Sequence, residues 1–226
     1  MPTIALELLS SRGWYADRSP ETKRLLAPLF QLREYSAGQS LYNHGDEPNG
    51  VFGIASGGID ISIPRFDGLA FTIHRAETGF WIGDSALFAG YSRVISIVAT
   101  AQVRAVFLPR APLLKLVEEN PFLYKDFYAL SHINTQTALN LLANLATSPA
   151  EARVAVRLLM YEPNGGSDAN EISLSHEKLA ELVALSPATM QRVLASMQEQ
   201  RLIEVSYSRI RVLNRGGLLA LCAKAR

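Results

Sequence analysis

The chain has 226 residues, 48% of them hydrophobic, which is enough to bury two modest cores and matches usual domain sizes better as two domains than as one. Its single cysteine, Cys222, excludes an internal disulfide, a Cys-rich zinc site and a cysteine-held iron–sulfur cluster. The net charge is only +1, but from Gln191 onward Arg192, Arg201, Arg209, Arg211, Arg215, Lys224 and Arg226 face just two acids, Glu199 and Glu204. A basic end on a neutral chain suits a polyanion partner, and equally a solvated tail.

No stretch carries the roughly 18 uncharged apolar residues of a membrane span. The opening MPTIALELL lacks the basic region that precedes the apolar core of a signal peptide. The expected location is the cytoplasm, with no membrane partner.

Residues 20–30 (PETKRLLAPLF) read as a short helix with Pro20 near its start. From about Gln31 to Leu108 short β-rich runs (VFGIAS, IDISI, LAFTIH, RVISIVA, VRAVFL) alternate with turn signals such as HGDEPNG, SGG and RFDG. That spacing predicts a sandwich or barrel-like roll. A short helix follows at Pro112–Glu119, Asn120–Pro121 interrupts it, and a long helix is predicted from Phe122 to Thr147. There Leu123, Phe127, Leu130, Thr137, Leu141 and Leu145 fall close to a 3.5-residue repeat, with Asn134 between Leu130 and Thr137. From Phe127 to Thr147 no residue is charged, whereas a surface helix normally has a charged outer face. The helix is therefore covered on two sides, by its own domain and by a partner subunit; a helix buried within a monomer would read the same way.

Ser148–Pro149 marks a boundary. After it come a helix (150–161), a loop (NGGSDAN), a short strand (EISL), two helices and a strand pair (LIEVS, RIRVL). Ser175 is a good cap for the first helix of the pair, whose apolar stripe is Leu179, Leu182 and Val183, with Ala180 small enough for a close crossing. After a tight turn at Val183–Leu185, Ser186 caps the second helix, with Pro187 at its first position, where the missing N–H costs nothing. Val193, Leu194 and Met197 form its inner face; Thr189, Gln191, Arg192 and Ser196 lie toward the others. This is the layout of a helix-turn-helix, with one helix braced and the other entering the DNA major groove. Gln and Arg bond bidentately to adenine and guanine edges. Tyr207–Arg209 reads as the tip of a β-hairpin wing. An ordinary helical hairpin has similar helices but not the wing and the basic charge.

The order of parts and the helix-turn-helix text resemble the Crp/Fnr family of bacterial regulators over residues 20–215. GFWIGDSALFAGYSRVIS resembles that family's phosphate-binding cassette, and ENPFLYKDF the entry to its long dimerisation helix. The resemblance implies an α+β protein: a cyclic-nucleotide-binding-like β-roll of jelly-roll type (1–121), a dimerisation helix (122–147) and a winged helix-turn-helix (148–226). It implies a homodimer on an inverted-repeat operator in double-stranded DNA, an effector in the β-roll and RNA polymerase as a partner.

The departures shape the expectation. The family's cassette Glu, which holds the ribose of cyclic AMP, is Asp84, between Gly83 and Ser85. Arg93 matches the phosphate-pairing Arg, but the Ser/Thr after it is Val94. The adenine-facing polar positions of the long helix are Ala138 and Leu139. Each lost hydrogen bond is worth about 0.5–1.5 kcal/mol, so cyclic AMP in the usual mode is not expected, the small-molecule effector is left unknown, and Arg93 reads as a strand residue satisfied by Asp84. On the recognition helix, Pro187–Ala188 replaces the Arg-Glu of cyclic-AMP-binding members. Readout then falls to Gln191 and Arg192, with Pro187 or Ala188 against thymine methyls. Ser175, His176, Ser186 and Thr189 are placed for phosphate oxygens and Arg209 for the wing contact. Ala184 takes the turn position usually held by Gly.

His44 and His74 stand too far apart in sequence for a cupin-type metal site, no hydrolase or nucleotide-binding motif is present, and His74 or the Pro2 terminus as haem ligands reads less well than a structural His. No metal, cofactor or enzyme activity is expected. The alternative to a DNA-binding regulator is a small-molecule sensor dimer that acts through protein contacts, its DNA-binding helix degenerate.

Overall fold

The computed structural model describes residues 2–65, 70–147, 149–161, 171–172, 174–206 and 209–223, and their side chains except those of 2–6, 146–147 and 171. The chain divides into two compact units, Met1–Thr137 and Ala138–Arg226.

The first unit opens with helix α1 (Pro2–Ser11), which sequence reading did not anticipate, and α2 (Pro20–Leu26), which leads into a 3-10 turn at Ala27–Leu29. Ser19 caps α2 by accepting from the Thr22 amide, and Pro20 occupies the first turn. Eight strands follow: β1 (Gln31–Tyr35), β2 (Ser40–Tyr42), β3 (Gly50–Ser56), β4 (Ile59–Pro64), β5 (Ala70–Ala76), β6 (Trp81–Ile82), β7 (Ser96–Ala99) and β8 (Val103–Pro109). They form two antiparallel sheets ordered β1-β8-β3-β6 and β2-β7-β4-β5. Tyr42, Phe52, Ile54, Ile59, Ile61, Ile97, Val103 and Phe107 fill one core from both sheets. Val51, Ala55, Val106 and Leu108, on the opposite faces of β3 and β8, join a second core with Leu9 of α1, Leu26 of α2 and the helices that follow. Strand β3 is thus covered on both sides, which is why its sequence is one apolar run rather than an alternating one.

Helix α3 (Asp84–Ala89) lies between β6 and β7, and α4 (Arg110–Glu119) follows β8. Helix α5 runs from Leu123 to Thr147, through the division between the units. The chain before it ties down its first turns: Trp14 Nε1 donates to the Asp126 carbonyl at 2.7 Å, while Arg18 and Thr22 donate to the Asp126 carboxylate at 2.7 and 2.6 Å. An aromatic cluster packs there, with Trp14 5.2 Å from both Trp81 and Phe127 between ring centroids.

The second unit holds α6 (Ala150–Leu159), β9 (Glu171–Ile172), α7 (His176–Leu182), α8 (Pro187–Glu199), β10 (Ile203–Ser206), β11 (Arg209–Val212) and α9 (Arg215–Ala223). The strands form an antiparallel sheet ordered β10-β11-β9. Leu158, Leu179, Leu182, Met190, Leu194, Met197, Ile210 and Leu218 belong to its single core. Helix α9 was not expected: Gly216 and Gly217 weaken its first turn, but Asn214 Oδ1 accepts from the Gly217 amide at 2.8 Å and Leu218 anchors it in the core. The loop 164–170 expected before β9 lies outside the described residues.

Candidate nucleic-acid interface and sensor cassette

The caps predicted for α7 and α8 form as expected. Ser175 accepts from the Lys178 amide and Ser186 from the Thr189 amide, and Pro187 is the first residue of α8. Between the helices Ala184 takes the left-handed conformation with φ 51°. The Leu185 amide donates to the Ala180 carbonyl and the Ala184 amide to that of Glu181. This is the Schellman pattern, normally closed by Gly. The helix is sharply stopped, and α8 starts three residues beyond Ala184.

On α8, Met190, Val193, Leu194 and Met197 are buried, while Pro187, Ala188, Gln191 and Arg192 are exposed and Thr189 is half-buried. Arg192 Nη2 donates to Thr189 Oγ1 at 3.3 Å, and Thr189 Oγ1 lies 3.0 Å from Ser186 Oγ. The exposed start of α8 thus carries a connected run of polar groups beside Gln191. Two members of the expected contact set sit differently. His176 Nε2 is shut away from solvent with no hydrogen-bond partner, so that nitrogen does not face a phosphate. Arg209 belongs to strand β11, opposite Ser206, and not to the wing tip; Tyr207 and Ser208 lie outside the described residues. Arg209 is exposed, and the wing also carries the exposed ion pair Arg211–Glu204 at 3.3 Å.

In the first unit the structure brings Gly83, Asp84, Ser85 and Arg93 together around the start of α3. The arrangement corrects one expectation: Arg93 is in no strand, and its partners are not the Asp84 carboxylate. Its Nη1 donates to the Gly83 carbonyl at 2.7 Å, and its Nη2 to the Gly50 carbonyl at 2.7 Å and Asn49 Oδ1 at 3.2 Å. The guanidinium sits 4.1 Å from the Tyr42 ring centroid, and the residue is only 2% exposed. Gly83 makes this possible: with φ +108°, an added Cβ would lie 2.8 Å from Arg93 Nη1 and 2.9 Å from the Gly50 carbonyl oxygen.

Asp84 is 1% exposed and accepts a hydrogen bond from Ser131 on α5. Burial pushes its carboxyl above the usual carboxylate range, with the Ser131 hydrogen bond and the Arg93 charge working the other way. Burial likewise raises the Tyr42 phenol. Ser85 is exposed and Val94 is 70% exposed. Ala138 and Leu139 belong to the second unit and are exposed. Sequence reading missed Asn49, Gly50, Tyr42 and Ser131 as cassette partners; Ser131, a small polar residue within a charge-free stretch, was the one legible signal.

The first half of the 3.5-residue repeat read along α5 faces inward. Leu123, Phe127 and Leu130 are buried in the unit's own core, and Asn134 Nδ2 donates to the Trp81 carbonyl at 3.1 Å. The exposed apolar residues are Tyr124, Tyr128, Ile133, Leu139 (59%) and Leu142 (62%). Within them Tyr128, Leu139 and Leu142 share a 3.5-residue spacing.

Comparison with known proteins accounts for both units. A family model for a cyclic nucleotide-binding domain matches residues 32–120, and one for a Crp-like helix-turn-helix domain matches residues 152–221. The chain is 26% identical over 194 residues to the cyclic AMP receptor protein of Thermus thermophilus, covering 86% of this chain and 89% of that protein. A solved transcriptional regulator of the CRP/FNR family, also from Thermus thermophilus, shares the fold with TM-score 0.68 at 22% identity, over 85% of this chain and 98% of the other. FixK2 from Bradyrhizobium japonicum does so with TM-score 0.75 at 19% identity, over 85% and 96%. With a cyclic-nucleotide-binding-type sensor fold, a long helix and a capped helix-turn-helix in that order, the chain belongs to the Crp/Fnr family of DNA-binding transcription regulators.

Proposed function

We propose that the chain acts as a homodimer through α5, inserts α8 into successive major grooves of an inverted-repeat operator, and acts by binding, without catalysis, at promoters where RNA polymerase is its partner. Its working parts are the sensor (1–121), the dimerisation helix (122–147) and the DNA-binding domain (148–226), in the cytoplasm. Among the described residues no helix is long and apolar enough to cross a membrane. The observation that carries the DNA reading is the capped start of α8, with Gln191 and Arg192 exposed on the turn opposite its buried face. Gln191 and Arg192 read base edges, and the Ser186–Thr189 run meets phosphate. Selection from random duplexes tests it: an enriched inverted repeat with half-sites about 34 Å apart is expected. No enriched motif would favour a sensor that acts through protein contacts.

The effector is not cyclic AMP in the usual mode. The support is Arg93, whose terminal nitrogens are engaged by two backbone carbonyls and Asn49 out of solvent, so a phosphate must break these bonds before it pairs. Val94 offers no hydroxyl in their place. Calorimetry with cyclic AMP should show no binding in the low micromolar range; binding there would overturn this reading.

A further inference from the structure

The turn between α7 and α8 is closed without the glycine its conformation favours, and its hydrogen bonds are unequally provided for. The Schellman pattern uses the Ala180 and Glu181 carbonyls, and the Val183 amide takes that of Leu179. The next three carbonyls, of Leu182, Val183 and Ala184, point past the end of the helix, where an α-helix leaves its acceptors open. All three are met from α6. Arg157 Nη2 donates to the Leu182 carbonyl at 2.7 Å, and Arg153 Nη1 donates to that of Val183 at 3.1 Å and reaches that of Ala184 at 3.5 Å. The arginines stand four residues apart, on one face of α6. Arg157 is among the largest fully buried side chains of the protein, a costly place for a charge unless it is needed there.

We infer that Arg153 and Arg157 are positioning residues for DNA readout: the pair holds the Ala184 turn in its left-handed form and so fixes the angle at which α8 leaves α7. Neither meets DNA. They act through the turn, and α6 thereby sets the attitude of the recognition helix. This rests on the reading of α8 as the helix that enters the groove.

The test uses the full chain and two probes, a duplex carrying the inverted repeat enriched by the wild type and an unrelated duplex of equal length. Arg153→Met and Arg157→Met are each made alone and with Ala184→Gly. Glycine adopts the left-handed form without help, so it replaces what the arginines supply. The expected result is about tenfold weaker binding of the enriched duplex by each single variant, an effect the size of one charge-assisted hydrogen bond, with much less change on the unrelated duplex. Ala184→Gly should recover at least half of that loss on a logarithmic scale. A lower melting temperature with unchanged affinity for the enriched duplex would make the arginines merely structural and overturn the inference, as would loss of affinity that glycine does not recover. If Arg157→Met fails to fold, Arg153→Met, at a half-buried site, carries the test. Failure of the wild type to enrich any repeat would instead refute the reading of α8 itself.

Discussion

The Ser131 hydroxyl donates to the Asp84 carboxylate, which joins the long helix to the first turn of the cassette helix. Asp84 itself is shut away from solvent, and this burial, which outweighs the Ser131 hydrogen bond, holds the carboxyl above its ordinary pKa. A raised acid stabilises the fold most when protonated. Its contribution is complete below the unfolded-state pKa and is lost as pH rises through the folded-state value. Asp84→Asn keeps an oxygen for Ser131 and removes the charge. Its melting temperature should match the wild type's at acid pH and exceed it increasingly toward neutrality, by about 2–4 °C for each kcal/mol. A gap that does not change with pH would show that Asp84 is not the titrating group.

The two faces of α5 make opposite predictions. Leu139→Glu and Leu142→Glu place charges on exposed positions, so sedimentation should give folded monomers. Leu130→Glu puts a charge into the sensor's own core and should cost about 3 kcal/mol or more, giving unfolded or insoluble protein. Folded dimers of Leu139→Glu and Leu142→Glu alike would move the seam elsewhere.

Arg192 and Arg209 should separate specificity from affinity. Arg192→Ala is expected to cost about 1–3 kcal/mol on the enriched operator and to relax preference at one base pair per half-site. Arg209→Ala should weaken all duplexes alike and flatten the salt dependence by about one unit. Selection repeated with each variant reads both effects; base preferences untouched by Arg192→Ala would remove it from the readout.

The end of α8 repeats the structure of the end of α7. Arg201 is left-handed with φ 54°, the Leu202 amide donates to the Met197 carbonyl and the Arg201 amide to that of Gln198. The left-handed form costs a non-glycine residue about 1–2 kcal/mol, part of which glycine's own entropy returns. Arg201→Gly, at an exposed site, should therefore stabilise the chain by up to about 1 kcal/mol. Thermal melting that shows a loss would mean the Arg201 side chain makes up for its backbone.

What sequence revealed divides by range. Ser175, Ser186, Pro187 and the turn at Val183–Leu185 were legible because caps and turns are made by neighbours three or four residues apart. Arg93 was misread because two of its three acceptors come from Asn49 and Gly50, 44 and 43 positions away, which no local pattern shows. On α5 two apolar stripes coexist, and choosing between Leu130 and Leu139 as the outward one needs the outer face of the β1-β8-β3-β6 sheet, which buries the first. Helix α9 was hidden by its two glycines, and α1 carries neither an acidic first turn nor a basic last turn to mark its ends.

Trp14 and Trp81 are the only tryptophans, and both lie in the first unit, 5.2 Å apart. Intrinsic tryptophan emission therefore reports on the sensor alone, and the DNA-binding unit contributes no tryptophan signal. Melting followed by emission and by circular dichroism should separate if the units unfold independently, and any ligand that disturbs β6 should change the fluorescence with no label attached.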